Sequence, residues 1–145
     1  MASTLVSRAA AYLAPYQLGV GVKGSCKAII HTVRQVLDEE PTLSLLQTDL
    51  VNAFKMANRN ASFKEVEKVF PECLSWVLTS YDQPSHLQFG SASISSDVGF
   101  QQGDSLAALL FSLLLHPVVQ NAEREVPDLR VNAWFLPGSA APAGC

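Results

Sequence analysis

The sequence predicts an α/β chain of the α+β type, in which helices surround a short antiparallel hairpin and two further strands. Three observations carry that expectation. Leu106, Leu109, Leu110, Leu113 and Leu114 recur at helical spacing behind a Gly/Gln/Asp-rich turn. Leu87-Gln88-Phe89 and Ala92-Ser93-Ile94 flank the dipeptide Gly90-Ser91, a two-residue loop of hairpin type. Residues 42–49 form a short apolar run closed by the single acid Asp49, which reads as a buried strand delivering a carboxylate to an edge. With 145 residues, 48% of them hydrophobic and 16% charged, the chain has the length of one domain and enough apolar surface to bury a core.

Taken in order, residues 25–39 place Ile29, Ile30, Val33, Val36 and Leu37 on one helical face, and Pro41 ends that helix. The strand at 42–49 follows. Ser62 with Glu65 fits a capping box that opens a helix running to about Phe70, and Pro71 restarts a second helix through Tyr81. The hairpin comes next. Asp104 stands where the N-cap of a long helix to Glu125 would stand, and Pro117 is expected to bend or break that helix. Residues 129–136 read as a closing strand, and residues 137–145, rich in Pro, Gly, Ala and Ser without periodicity, read as a disordered tail.

Composition excludes several function classes. A net charge of −3 does not favour nucleic-acid binding, which draws affinity from Lys and Arg neutralising phosphates. Lys55, Arg59, Lys64 and Lys68 form one local basic cluster, which a solvated helix face explains equally well. Cys26, Cys73 and Cys145 are widely spaced and indicate neither a disulfide framework nor a zinc site, so a reducing, intracellular compartment is expected. His31, His86 and His116 are not at ligand spacing and read as surface or satisfied core histidines. No membrane span is expected, because the apolar run from Leu106 is too short and reads as a buried helix.

Residues 99–111, Gly-Phe-Gln-Gln-Gly-Asp-Ser-Leu-Ala-Ala-Leu-Leu-Phe, carry the most chemistry. Gly99 and Gly103 permit close backbone approach, and the Gln101 and Gln102 amides both donate and accept hydrogen bonds. Taken alone, the pattern is a loop before a helix. The stretch also resembles motif B of the reverse transcriptases of non-LTR, LINE-type retroelements, sharing its Gln-Gln-Gly-Asp core and Leu-Leu-Phe end. Phe100, Ser105, Ala107 and Ala108 depart from the family's residues.

Upstream, Asp49-Leu50-Val51-Asn52-Ala53-Phe54 resembles motif A of the same family, and Asn52 and Arg59 fit its pattern. A lone Asp at a strand end is ordinarily a turn cap, although such a carboxylate also suits a hard cation such as Mg2+. The resemblance implies that Asp49 is the catalytic metal ligand with the Leu50 carbonyl beside it. It further implies that Phe54 lies under the sugar and excludes a 2′-hydroxyl, and that Gln102 and Gly103 contact the nucleotide and template region. Val131-Asn132-Ala133-Trp134-Phe135-Leu136 leads toward motif C, but the two family aspartates do not follow, and no Asp or Glu occurs after Asp128.

The resemblance spans residues 5–136, beginning in the segment that joins fingers to palm. It implies a partial polymerase palm, with core strands from motif A and from the residues before motif C, Mg2+ as cofactor, and an RNA template, a DNA primer and deoxynucleotides as partners. Two-metal phosphoryl transfer needs more carboxylates than Asp49, so the 145-residue chain is expected not to polymerise. The alternative is a decayed or domesticated remnant that binds nucleic acid or protein without catalysis.

Overall fold

The computed structural model describes residues 2–135. Six helices and one hairpin follow in the order α1 (Ala2–Leu13), α2 (Ser25–Glu39), α3 (Ala53–Met56), α4 (Arg59–Val69), α5 (Pro71–Tyr81), β1 (Ser85–Phe89), β2 (Ala92–Ser96) and α6 (Ser105–Glu125). The fold is thus mixed helix and strand, with a two-stranded antiparallel sheet.

The core is built on α6. Its Leu106, Ala107, Leu110, Phe111 and Leu113 are buried, and α4, α1 and α3 pack against it while α5 packs on α4. Val66 and Phe70 from the α4 segment, Val77 and Tyr81 from α5, and Ala9 and Leu13 from α1 complete the cluster. The buried Ser62 hydroxyl donates to the Leu110 carbonyl at 3.1 Å and ties α4 to α6. The helix is long and apolar enough to cross a membrane by length and composition, although half of its apolar window is buried inside this fold. Core packing accounts for that composition without a bilayer.

Most helix boundaries follow local chemistry. Asp104 caps α6 by accepting from the Leu106 N–H at 2.9 Å, and Pro71 occupies the first turn of α5. The hairpin pairs Phe89 with Ala92 across Gly90-Ser91, and Gly90 alone of the two has positive φ, at 61°, as a type II′ turn requires.

Four expectations are corrected. The start of α4 is set by Asn58, whose side chain accepts from the Ala61 N–H at 3.0 Å, and not by a Ser62/Glu65 capping box, because Ser62 points into the core. α6 runs unbroken through Pro117, since proline's fixed φ is helical and one lost hydrogen bond is outweighed by the packing on either side. Residues 42–49 form no strand. Leu45, Leu46 and Val51 are 60%, 84% and 85% exposed, and without a neighbouring strand the segment's backbone groups turn to water. The closing strand expected at 129–136 reduces to one parallel bridge, Trp134 with Gln17, because the segment beside it is a turn. Leu136 and the expected disordered tail at 137–145 lie outside the described residues.

α2 has the expected limits but little company. Its one buried residue is Ser25, Ile30 is 46% exposed, and no other element packs extensively on it.

Candidate functional site

The residues singled out in sequence fall into two groups, one brought together by the fold and one left outside. α3 starts at Asn52, which adopts a left-handed φ of 54° and turns the chain so that the Phe54 and Ala57 carbonyls face the loop before α6. Phe100 N–H donates to the Phe54 carbonyl at 2.7 Å and Gly99 N–H to the Ala57 carbonyl at 3.0 Å. A Cβ on Gly99 would lie 2.2 Å from the Lys55 carbonyl oxygen, so this crossing admits only glycine, and its φ of +72° points the same way. The Phe54 ring is partly buried against Phe111, with centroids 5.3 Å apart.

Behind this crossing stands Arg59, a residue only 9% exposed. Its guanidinium donates to the carbonyls of Gly99 at 2.7 Å, Ser96 at 3.2 Å and Tyr81 at 3.3 Å, and stacks on the Tyr81 ring 5.4 Å away. One side chain therefore fastens the loop before α6, the hairpin end and the end of α5. The expected basic cluster is corrected accordingly: Arg59 faces inward, Lys68 is paired with Glu65 at 2.6 Å, and Lys55 and Lys64 lie on the surface. Long cations divide between core and solvent by what surrounds their stems, which sequence spacing does not encode.

Tyr81 completes the frame. Its hydroxyl donates to Asp104 Oδ2, its ring meets Phe100 edge-on at 5.2 Å, and burial together with the Asp104 hydrogen bond pushes its pKa up to about 12. Asp104 thus caps α6 with one oxygen and anchors α5 with the other. The N-cap was legible from sequence. The tyrosine partner was not, because nothing in local spacing links residues 81 and 104.

The remaining candidates are exposed. Asp49 lies in the irregular segment after α2, with Leu50 41% exposed beside it, and Gln102 and Gly103 project from the loop before α6. Gly103 has φ +90° and open space where a Cβ would be, so its glycine answers to backbone conformation alone. Among the described residues no group of three or more His, Cys, Asp or Glu side chains could hold a metal ion. A lone exposed carboxylate does not meet the donor set of a Mg2+ pair, so the residues present do not fit that cofactor. Nearby, Asp82 and Asp97 share a shallow depression of about 340 Å³ with Asn58, Asn60, Arg59 and Tyr81.

Cys73 is a half-buried thiol, and burial pushes its pKa up. His31 and His86 are exposed as expected, whereas His116 is 3% exposed and its Nδ1 has no hydrogen-bond partner among the described residues. The expectation of a satisfied core histidine is corrected: it is a core residue, but only one ring nitrogen is engaged. No protein-family model matches the chain, and no curated protein or solved structure is significantly similar to it.

Proposed function

We propose that these residues carry the motif A and motif B elements of an RNA-directed DNA polymerase of the LINE-type reverse transcriptase family, and that the 145-residue chain by itself does not polymerise. One arrangement supports the reading: the two stretches that resemble motifs A and B, more than 40 residues apart in sequence, cross backbone to backbone. Phe100 bonds to Phe54 at 2.7 Å, and Gly99 lies too close to Lys55 for any side chain.

In this reading Phe54 and the Gln102-Gly103 turn border the place of the incoming nucleotide and template, and Asp49 is the family's first carboxylate. Among the described residues Asp49 has no partner acids with which to hold Mg2+. The chain's own contribution is positional: Arg59, Gly99 and Asp104 hold the turn at a fixed distance from α3. The second reading, a decayed element that binds nucleic acid without catalysis, draws on the same missing acids.

Primer extension on an RNA template with Mg2+ and deoxynucleotides, run with the native chain and Asp49→Ala, tests the proposal. No extension is expected from either. Extension by the native chain that Asp49→Ala abolishes would overturn the inactive reading. The two readings separate on genomic DNA: an Asp-Asp pair encoded shortly after the Leu136 codon, in any frame, supports a polymerase segment, and its absence supports the decayed binding element.

A further inference from the structure

His116 sits where the amino-terminal segment meets the core helix. Its ring lies 4.8 Å from that of Tyr12 on α1 and 5.8 Å from that of Tyr16 in the turn that follows. Nε2 lies 3.0 Å from the Gln120 amide nitrogen one turn along α6. The Gln120 amide can satisfy Nε2 in either neutral tautomer, donating its N–H to the bare nitrogen or, turned over, accepting from Nε2–H through Oε1. Nδ1 is buried with no partner among the described residues.

A second proton has no place in this arrangement. With both ring nitrogens protonated, the Nδ1–H would have no acceptor among the described residues, and a full charge would lie in a buried site. Every element packed against the imidazole bears on the balance. α1 presents Tyr12, and the following turn presents Tyr16, whose hydroxyl is engaged with Glu123. α4 presents Glu65, which favours the charged ring but is held by Lys68 at 2.6 Å. α6 itself offers Gln120, and residues 131–135 beside it contain no titratable side chain. Burial outweighs Glu65 and holds the imidazole below its ordinary value.

We infer that His116 is a proton-sensitive latch: neutral, it holds α1 and the turn through Gln17 on α6, and protonation releases that segment while α4, α5 and the first half of α6 remain packed. The boundary of the released unit follows from the contacts. Tyr12 and Tyr16 meet His116 directly, whereas the α4–α6 junction rests on Val66 and Leu110 and on the Ser62 hydroxyl bonded to the Leu110 carbonyl. The sign follows from linkage. A histidine whose folded value is depressed gives stability that is fully present above the unfolded value near 6.5 and is lost as pH falls through the window below it.

Hydrogen exchange of the full chain at pH 7.5 and at pH 5, corrected for intrinsic rates, tests the latch in the native protein and in His116→Phe. Native amides of α1 are expected to lose protection by up to about tenfold per pH unit, the limit for one proton, with α4 and α5 unchanged. In His116→Phe, protection of α1 should not depend on pH. Equal loss in both proteins, loss across the whole chain together, or no loss in the native chain overturns the inference. If His116→Phe does not fold, the imidazole titration of the native chain decides by nuclear magnetic resonance. A midpoint below 6.5, accompanied by loss of the Tyr12 ring contact, supports the latch, and any other result overturns it.

Discussion

Two leucine-rich stretches of this chain have opposite fates. Residues 43–51 contain Leu43, Leu45, Leu46, Leu50 and Val51, and residues 106–115 contain Leu106, Leu109, Leu110, Leu113, Leu114 and Leu115. Both read as buried. The second is the centre of the fold, with Leu110 fully enclosed, while the first leaves Leu46 84% exposed and forms no regular element. The difference lies in how each stretch satisfies its backbone. A helix closes its own hydrogen bonds and then needs only side-chain partners, which α1, α3 and α4 supply. An extended run needs another strand on at least one edge, and among the described residues none is paired to it.

The contrast is sharpest in stability. Leu110→Ala should cost about 2–5 kcal/mol, since it opens a cavity at a fully enclosed position, whereas Leu46→Ala should stay within about 0.5 kcal/mol of the native chain. Denaturant unfolding of the two variants side by side measures both. A cost above about 1 kcal/mol at Leu46 would mean that the exposed run is covered in solution, and the comparison would break.

Arg59→Met is the next largest effect expected. It leaves the Gly99, Ser96 and Tyr81 carbonyls without their donor, at about 1–3 kcal/mol for each group that water does not reach, and should loosen the hairpin and the loop before α6 together. Amide exchange would show whether those two segments open as one unit. The two glycines of that loop give an internal control. Gly99→Ala should destabilise severely because its Cβ would strike the Lys55 carbonyl, while Gly103→Ala should cost about 1–2 kcal/mol from its left-handed backbone alone. Similar thermal midpoints for the two alanine variants would dissolve the crossing on which the functional reading leans.

A smaller effect is expected at Asp104. Asp104→Asn keeps a capping oxygen but removes the charge beside the Tyr81 hydroxyl, so the tyrosine should titrate below its native value of about 12. The sign is fixed by linkage: Tyr81, raised from 10.0 in the folded chain, gives stability that is complete below pH 10 and lost as pH rises toward 12. Phenolate absorbance during an alkaline titration reads it. An unchanged midpoint would show that burial alone sets the value. Least affected should be Asp49→Ala, within about 0.5 kcal/mol by denaturant unfolding, as for any exposed side chain without a structural contact.

Much of the local structure was legible. Proline at 71, aspartate at 104 and the Gly90-Ser91 dipeptide each act through their own backbone neighbourhood, and the elements they mark appear within a residue or two of expectation. The failures share one cause. Ser62 resembled a cap because its spacing to Glu65 was right, but the hydroxyl was claimed by a carbonyl 48 residues away. Arg59 resembled one of four surface cations, yet three carbonyls from three separate segments enclose it. For the candidate site, the sequence singled out the stretches that hold Phe54 and Gly99 separately. It could not mark their contact.

By itself, the sequence determined the helix starts marked by Pro71 and Asp104, which face of α6 is apolar, how the hairpin turns and that no Asp or Glu follows Asp128, because these depend on spacing along the chain. The tertiary structure alone decided which apolar run is buried, that Arg59 serves the interior, that Tyr81 meets Asp104 and that His116 is enclosed between two tyrosines. Those outcomes rest on contacts between distant residues, where burial and hydrogen-bond satisfaction are settled by partners that local pattern does not name.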